Sequence, residues 1–170
     1  QKDISRLETI TERFSKIGSL PKLDHQDIVK QTKEAYEYLK LRSSSLIRFT
    51  FDSQLNSAPV LLNPSLYHWT IENLVKNGID AMKGKGEIGI KILPDGKNVH
   101  IQVSDTGHGI PKSDFQSIFN PGVTSKKRGW GLGLSLVKRI IEEYHQGKIK
   151  VLSSNKEGTV MQISLKRMDI

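Results

Sequence analysis

Residues 87–105 read Glu87-Ile-Gly-Ile-Lys-Ile-Leu93-Pro94-Asp95-Gly96-Lys-Asn-Val99-His-Ile-Gln-Val-Ser-Asp105. Two runs rich in β-branched residues flank a Pro-Asp-Gly turn, so the stretch predicts a β-hairpin with strands over 87–93 and 99–105. In the second strand Val99, Ile101 and Val103 share one face, and Asp105 falls in the same register. The pleat therefore aims a carboxylate at the apolar side, where an unpaired charge costs several kcal/mol. A partner is required. An exocyclic amine on a ligand such as adenine would serve, and so would a neighbouring backbone group or lysine.

The hairpin is embedded among helices. Upstream, Ile4, Leu7, Ile10, Phe14 and Ile17 recur at helical spacing, predicting a helix over 1–18 that Gly18-Ser19-Leu20-Pro21 ends. A second helix is expected from about Asp24 to Leu41. Two strands should follow, one alternating through Ile47, Phe49 and Phe51, the other at Val60 to Leu62. Asn63-Pro64 reads as a helix start, with Asn as the cap and Pro in the first turn.

That third helix, running to about Met82, has an apolar face with Ile71, Leu74, Val75, Gly78 and Met82. A second stripe carries Asn73, Asn77 and Asp80. Downstream of the hairpin, residues 106–130 read as a glycine-rich loop with a short helical piece near Ser113 to Ile118. A fourth helix is expected from about Gly131, with strands at Ile149 to Leu152 and Val160 to Leu165. Helices and mostly hairpin-connected strands mix without strict βαβ alternation. The expected fold class is α+β: a two-layer α/β sandwich with a mixed, mostly antiparallel sheet.

Bulk properties narrow the function classes. At 170 residues the chain can bury roughly 70% of its unfolded surface. Apolar residues at 36% and charged residues at 26% describe a globular chain. There are no cysteines, so no disulfide framework or thiolate metal site. No apolar run approaches the ~20 residues of a membrane span, and no signal-peptide pattern opens the chain. A cytoplasmic location is expected, whether or not the parent protein is membrane-anchored. The net charge of +8 favours acidic or polyphosphate partners. The basic residues are spread along the chain apart from Lys126-Lys127-Arg128, and aromatics reach 6% without a stacking pattern. That distribution argues against nucleic acid.

Three stretches carry chemistry. After Asp105 comes Thr106-Gly107-His108-Gly109-Ile110-Pro111, where two glycines let the backbone turn sharply and approach a flat ligand. His108 between them reads as an exposed loop residue. On the third helix, the carboxamide oxygen of Asn77 is a hard neutral donor suited to Mg2+, with Asn73 one turn earlier on the same side; the stripe could equally be a solvated face. Gly129-Trp130-Gly131-Leu132-Gly133-Leu134-Ser135 leads alternate glycines into a helix, where free N–H groups can meet phosphate. It lacks the preceding strand and spacing of a dinucleotide fingerprint, and no G-x-x-x-x-G-K-[ST] loop is present. Upstream, Thr124, Ser125 and Lys126 lie in a loop from which Lys126 could reach a terminal phosphate.

The order of these stretches is specific. Glu72-Asn73-Leu-Val-Lys-Asn77-Gly-Ile-Asp80-Ala81, then DTGHGIP, then FQSIFNPGVTSKK, then GWGLGLSLVKRIIEEYHQG resembles the N, G1, F and G2 boxes of sensor histidine kinases. The likeness covers roughly residues 20–168. NLVKNGIDAM and VTSKK look closest to nitrogen-regulation-type kinases, and the gyrase, chaperone and mismatch-repair ATPases share the ATP-binding fold more distantly.

The resemblance implies ATP and Mg2+ as cofactors. It implies that Asp105 holds the adenine amine beside Gly107 and Gly109, and that Asn77 holds the metal. Asn73 would lie near the phosphates and Lys126 at the γ-phosphate, as the two catalytic residues. Phe115 and Phe119 would anchor a lid, and Gly129, Gly131 and Gly133 would wrap the triphosphate. Asp80, Ile110, Phe119, Thr124 and Ser125, with Trp130, Leu132 and Leu134 among the glycines, complete the expected nucleotide contacts. His145 in the turn after the last kinase helix is expected to be structural.

Two residues depart from the family's pattern. Gly78 replaces the usual Ala, and Trp130 replaces a small residue, either stacking on the nucleotide or plugging the lid. Hydrolysing relatives carry a water-activating Glu at the position of Asn73. An amide cannot act as a base, so slow hydrolysis and transfer to a protein histidine are expected. Residues 1–18 would be the end of a dimerisation and phosphoacceptor hairpin plus linker, and 19–170 the ATP-binding catalytic domain. The acceptor histidine is expected to be missing, since His25-Gln26-Asp27 lies after the hairpin remnant. The partners implied are that hairpin, in a homodimer of the full-length protein, and an acidic receiver domain of a response regulator; no nucleic acid and no direct membrane contact. A regulatory nucleotide-binding module, or a gyrase- or chaperone-type ATPase, are the alternatives.

Overall fold

The computed structural model describes residues 21–122 and 133–169; the helix expected over 1–18 lies outside the described residues. Five strands form one sheet in the order β2-β4-β5-β7-β6. They are β2 (Ile47–Ser53), β4 (Gly86–Asp95), β5 (Asn98–Asp105), β6 (Lys148–Asn155) and β7 (Gly158–Lys166). β2 runs parallel to β4, and the other neighbours are antiparallel. The mixed sheet with helices on one face is the sandwich that the sequence predicts.

The hairpin closes more tightly than its Pro-Asp-Gly signal suggests. Pro94 pairs with Val99 and Asp95 with Asn98, so the turn is Gly96-Lys97, with Gly96 at φ 57°. Pro94 is tolerated because β2 stops at Ser53, opposite Ile92, and among the described residues no strand pairs with that side of β4 beyond it.

Ile88, Ile90 and Ile92 on β4, with Val99, Ile101 and Val103 on β5, are buried on the helical side. Helix α1 (Ile28–Arg42) lies over β2, and α2 (Pro64–Ala81) lies over β4 and β5. Asn63 caps α2, its Oδ1 accepting the Leu66 N–H at 3.1 Å, and Pro64 opens the first turn. Helix α3 (Gly133–Arg139) passes into a π turn (Ile140–Tyr144) that meets β6. Residues 112–119 fold as two 3-10 turns, Lys112–Asp114 and Ser117–Phe119, instead of one helical piece.

The start of the second helix is corrected. Asp24–Asp27 form a strand, β1, antiparallel to β3 (Pro59–Leu62), and α1 begins only at Ile28. Asp27 ends the strand because its Oδ1 accepts both the Val29 N–H at 3.0 Å and the Ala58 N–H at 2.9 Å. One carboxylate therefore caps a helix and ties down the approach to β3.

His145 is structural, as expected. It is 8% exposed, its Nε2 accepts the Asn63 N–H at 3.0 Å, and its Nδ1–H donates to the Ile140 carbonyl at 2.8 Å. Burial holds its pKa below 6.5. The neutral ring is the form that fits, so its contribution is complete above 6.5 and is lost as pH falls below that value. His145→Leu should narrow its stability deficit against the wild type as pH drops from 7 through this range; thermal melts across pH measure it.

Candidate nucleotide-binding site

A cleft opens between α2, the loop after β5, the start of α3 and strand β7. Leu74, Ala81, Ile110, Ile118, Leu134 and Met161 supply apolar walls, while Asn77, Asp105, His108 and Thr159 supply the polar groups, and Gly78 and Gly109 complete the lining.

Asp105 sits half-buried at the end of β5, in the register that the hairpin predicts. Its Oδ1 accepts the Gly107 N–H at 2.8 Å. Burial raises its pKa; the backbone N–H groups of Gly107 and Thr159 and the nearby His108 pull it back down. Under its side chain lies Gly78. A Cβ there would stand 3.0 Å from Asp105 Cβ and 3.3 Å from its Oδ2. The glycine that weakens the helix by about 1 kcal/mol thus lets the carboxylate settle against α2.

The glycines after Asp105 serve the chain before any ligand. Gly107 is buried against the end of α2, where a Cβ would stand 2.6 Å from Ala81 Cβ. Gly109, at φ 86°, lies against the Asn155 carbonyl, with no room for a side chain. The His108 N–H donates to the Ala81 carbonyl at 3.3 Å, and the Ile110 N–H to Ser154 Oγ at 2.7 Å. Both ends of the loop are therefore anchored, one on α2 and one on β6.

The amide stripe is also assembled. Asn77 Nδ2 donates to Asn73 Oδ1 at 3.3 Å, and a Cβ on Gly133 would lie 3.1 Å from that oxygen. Helix α2 and the last glycine of the glycine run thus meet at Asn73. Glu72, one residue away, is paired with Lys76 at 3.4 Å. Among the described residues no group of three or more His, Asp or Glu could hold a metal ion. A cation at Asn77 would need phosphate oxygens and water to complete its shell, the manner in which Mg2+ accompanies nucleotides. The half-buried carboxylate amid apolar walls likewise fits a flat heterocycle that presents an amine.

Of the expected contacts, Asn77, Asp105, Gly109, Ile110 and Leu134 line the cleft, and Asn73 adjoins it through Asn77 and Gly133. Gly107 and Phe119 are buried and Asp80 is exposed, all three outside its lining. Thr124, Ser125, Lys126, Gly129, Trp130, Gly131 and Leu132 lie outside the described residues. The lining residues unforeseen from sequence are Leu74, Gly78, Ala81, His108, Ile118, Thr159 and Met161. A 180° strand pattern in 158–166 could have flagged Thr159 and Met161 as facing the same side as the core of β7.

The family described as histidine kinase-, DNA gyrase B-, and HSP90-like ATPase matches residues 63–169, from the α2 cap to just past β7. The chain belongs to this family. Its domain is an ATP-binding catalytic domain of the sensor-histidine-kinase type. Sporulation kinase A of Bacillus subtilis is 42% identical over 92 residues, 54% of this chain and 15% of that protein. Nitrogen regulation protein NtrY of Azorhizobium caulinodans is 27% identical over 96% of this chain and 22% of its own length. The catalytic domain of histidine kinase ThkA superposes with a TM-score of 0.78 at 27% identity, covering 86% of this chain and 97% of that domain. ThkA in complex with the response regulator protein TrrA gives 0.77 at 26% identity, over 98% of this chain and 49% of that one. The chain spans less than a third of the length of the curated relatives it matches. No helix among the described residues is long and apolar enough to cross a membrane.

Proposed function

We propose that this chain presents Mg-ATP for phosphorylation of a histidine on a dimerisation hairpin, as the catalytic domain of a nitrogen-regulation-like sensor kinase. The observation that carries this reading is the half-buried Asp105 carboxylate, held over Gly78 in a cleft that Asn77 also enters. Asp105 would accept the adenine amine, Asn77 would hold Mg2+, and Asn73 would sit by the phosphates. From the lid and glycine run, Thr124, Ser125, Lys126, Gly129 and Gly131 would surround the triphosphate, with Lys126 as a point charge on the γ-phosphate. Mg2+, held by Asn77 and the phosphates, would supply charge neutralisation for the transfer.

The imidazole of the acceptor would attack the γ-phosphorus as the bond to ADP breaks. The imidazole proton would pass to a base outside this domain, because the helix offers Asn73 where a hydrolytic relative offers a carboxylate. None of the five histidines of this chain suits the acceptor role. His25 sits in β1, His68 bonds Gln31 at 2.8 Å, and His100 bonds both Asp95 and Ser164. His108 belongs to the cleft and His145 is buried. The acceptor would therefore come from a hairpin, of which residues 1–18 would be the end and 19–170 the catalytic domain. An acidic receiver domain would be the next partner, suited to a chain of net charge +8, and the reaction would take place in the cytoplasm.

Mixing the chain with a separately made hairpin bearing an acceptor histidine, plus γ-labelled Mg-ATP, tests this. Label should appear on the hairpin and not on a His→Ala hairpin. Nucleotide binding with no label transferred would leave a regulatory module, and rapid phosphate release without any hairpin would indicate a hydrolase.

A further inference from the structure

The residue after Asp105 is fastened twice to one sulfur atom. The Thr106 N–H donates to Met82 Sδ at 3.3 Å, and the Thr106 hydroxyl donates to the same sulfur at 3.2 Å. The hydroxyl oxygen in turn accepts the Glu87 N–H at 3.1 Å. Met82, the residue that ends α2, is buried at 8% exposure. A side chain on Gly86 would collide with Thr106 Oγ1 and stand 2.7 Å from Met82 Sδ, so the first residue of β4 leaves this junction its room. Three elements therefore converge on a thioether: the end of α2, the start of β4 and the loop that follows β5.

A thioether is a weak acceptor, and a methionine at such a place would ordinarily serve as adaptable filling. Filling does not explain why two donors of one residue meet at its sulfur. The consequence lies one peptide away. Asp105 Oδ1 is bonded to the Gly107 N–H, so the carboxylate's aim depends on the path of the chain from 105 to 107. Thr106 is the middle of that path, and Met82 holds both of its donors.

We propose that Met82 is a positioning residue for base recognition: through Thr106 its sulfur fixes the aim of the Asp105 carboxylate at the exocyclic amine of the nucleotide. This rests on the reading of Asp105 as the amine acceptor. Leucine at position 82 fills a similar volume and accepts nothing, so the two roles of Met82 separate.

The test is calorimetric titration of the wild type, Met82→Leu and Thr106→Val with Mg-ATP and with the Mg-triphosphate of purine riboside, which lacks the 6-amino group. The wild type should prefer ATP by about tenfold or more, the worth of one charge-assisted hydrogen bond. Met82→Leu should lose about three- to tenfold in ATP affinity and keep its affinity for the des-amino nucleotide, so the preference shrinks. Thr106→Val, which removes the hydroxyl from the other side, should do the same, and the double variant should lose no more than the larger single effect. Equal losses for both nucleotides in Met82→Leu would mean that the side chain only packs, which overturns the proposal. So would an undiminished preference for ATP. A wild type that does not prefer ATP at all overturns it too, and there the fault lies with the Asp105 reading itself. Should Met82→Leu fail to fold, Thr106→Val, on an exposed residue, decides by the same readout.

Discussion

Asp105→Asn should weaken ATP binding about ten- to hundredfold and at the same time leave the domain as stable as the wild type, or more so, near pH 7. The binding loss follows from counting acceptors. The carboxylate has two oxygens; Oδ1 takes the Gly107 N–H, and Oδ2 lies on the side of Gly78 at the floor of the cleft. Asparagine has one oxygen, so either the Gly107 N–H or the incoming amine must face an NH2 group. The stability gain follows from the sign of the pKa shift. Burial raises the Asp105 pKa above 3.8, so the ionised form, present above the raised value, is penalised in the folded state. Asparagine has nearly the same shape and carries no charge. The stability gap between variant and wild type should close as pH falls through the raised pKa. Calorimetry with ATP and thermal melts across pH measure both arms, and an unchanged ATP affinity would remove the adenine role.

The hairpin that ends on Asp105 was legible because its information is local: a two-residue period and a turn sequence suffice to pair β4 with β5. The Asn63-Pro64 helix start was legible for the same reason. β1 was not. Asp24-His25-Gln26-Asp27 is polar throughout and has no alternation, and it becomes a strand because β3 offers it a partner more than thirty residues on. Asp27 caps α1, and nothing in the neighbouring residues says that the same carboxylate also accepts the Ala58 N–H. The π turn after α3 is a similar case. Ile140, Ile141 and Tyr144 keep a helical spacing, and the widening of the coil reflects the Ile140 carbonyl, which accepts from both the backbone and the ring of His145.

The site divided along the same line. Asp105 was conspicuous because a charge in an apolar register demands a partner. Asn77 and Gly133 gained meaning from the order of the boxes, and the meeting of Asn73 with Gly133 joins two of them. The floor and far wall were hidden. Thr159 and Met161 come from the last strand, and Leu74 and Ala81 look like any core residues of an amphipathic helix. Gly107 and Gly109 read from the sequence as room for a flat ligand, and each is also required by neighbouring protein backbone, at Ala81 and at Asn155. Gly109 still faces the cleft, so there one residue serves both needs.

Asn77→Ala should lower the affinity for ATP in the presence of Mg2+ by about tenfold or more while changing the affinity for metal-free ATP far less. Neutral oxygen donors bind Mg2+ weakly by themselves, and the described residues offer no carboxylate cluster to hold it without a nucleotide. The metal should therefore add to affinity only when phosphate and the Asn77 carboxamide share it, and deleting the carboxamide removes that increment. Alanine favours the helix, so instability of α2 is not the cause of any loss. Asn77→Asp separates charge from geometry. It restores an oxygen donor but places a negative charge near the phosphates, so metal-free ATP should bind more weakly and the metal should recover part of the loss. Asn77 also holds Asn73 at 3.3 Å, so Asn73→Ala is the necessary comparison. If Asn77 acted only by orienting Asn73 towards Gly133, the two alanine variants would lose equally with and without Mg2+. Titrations in magnesium and in chelator tell these apart, and equal losses in both would remove Asn77 as the metal ligand.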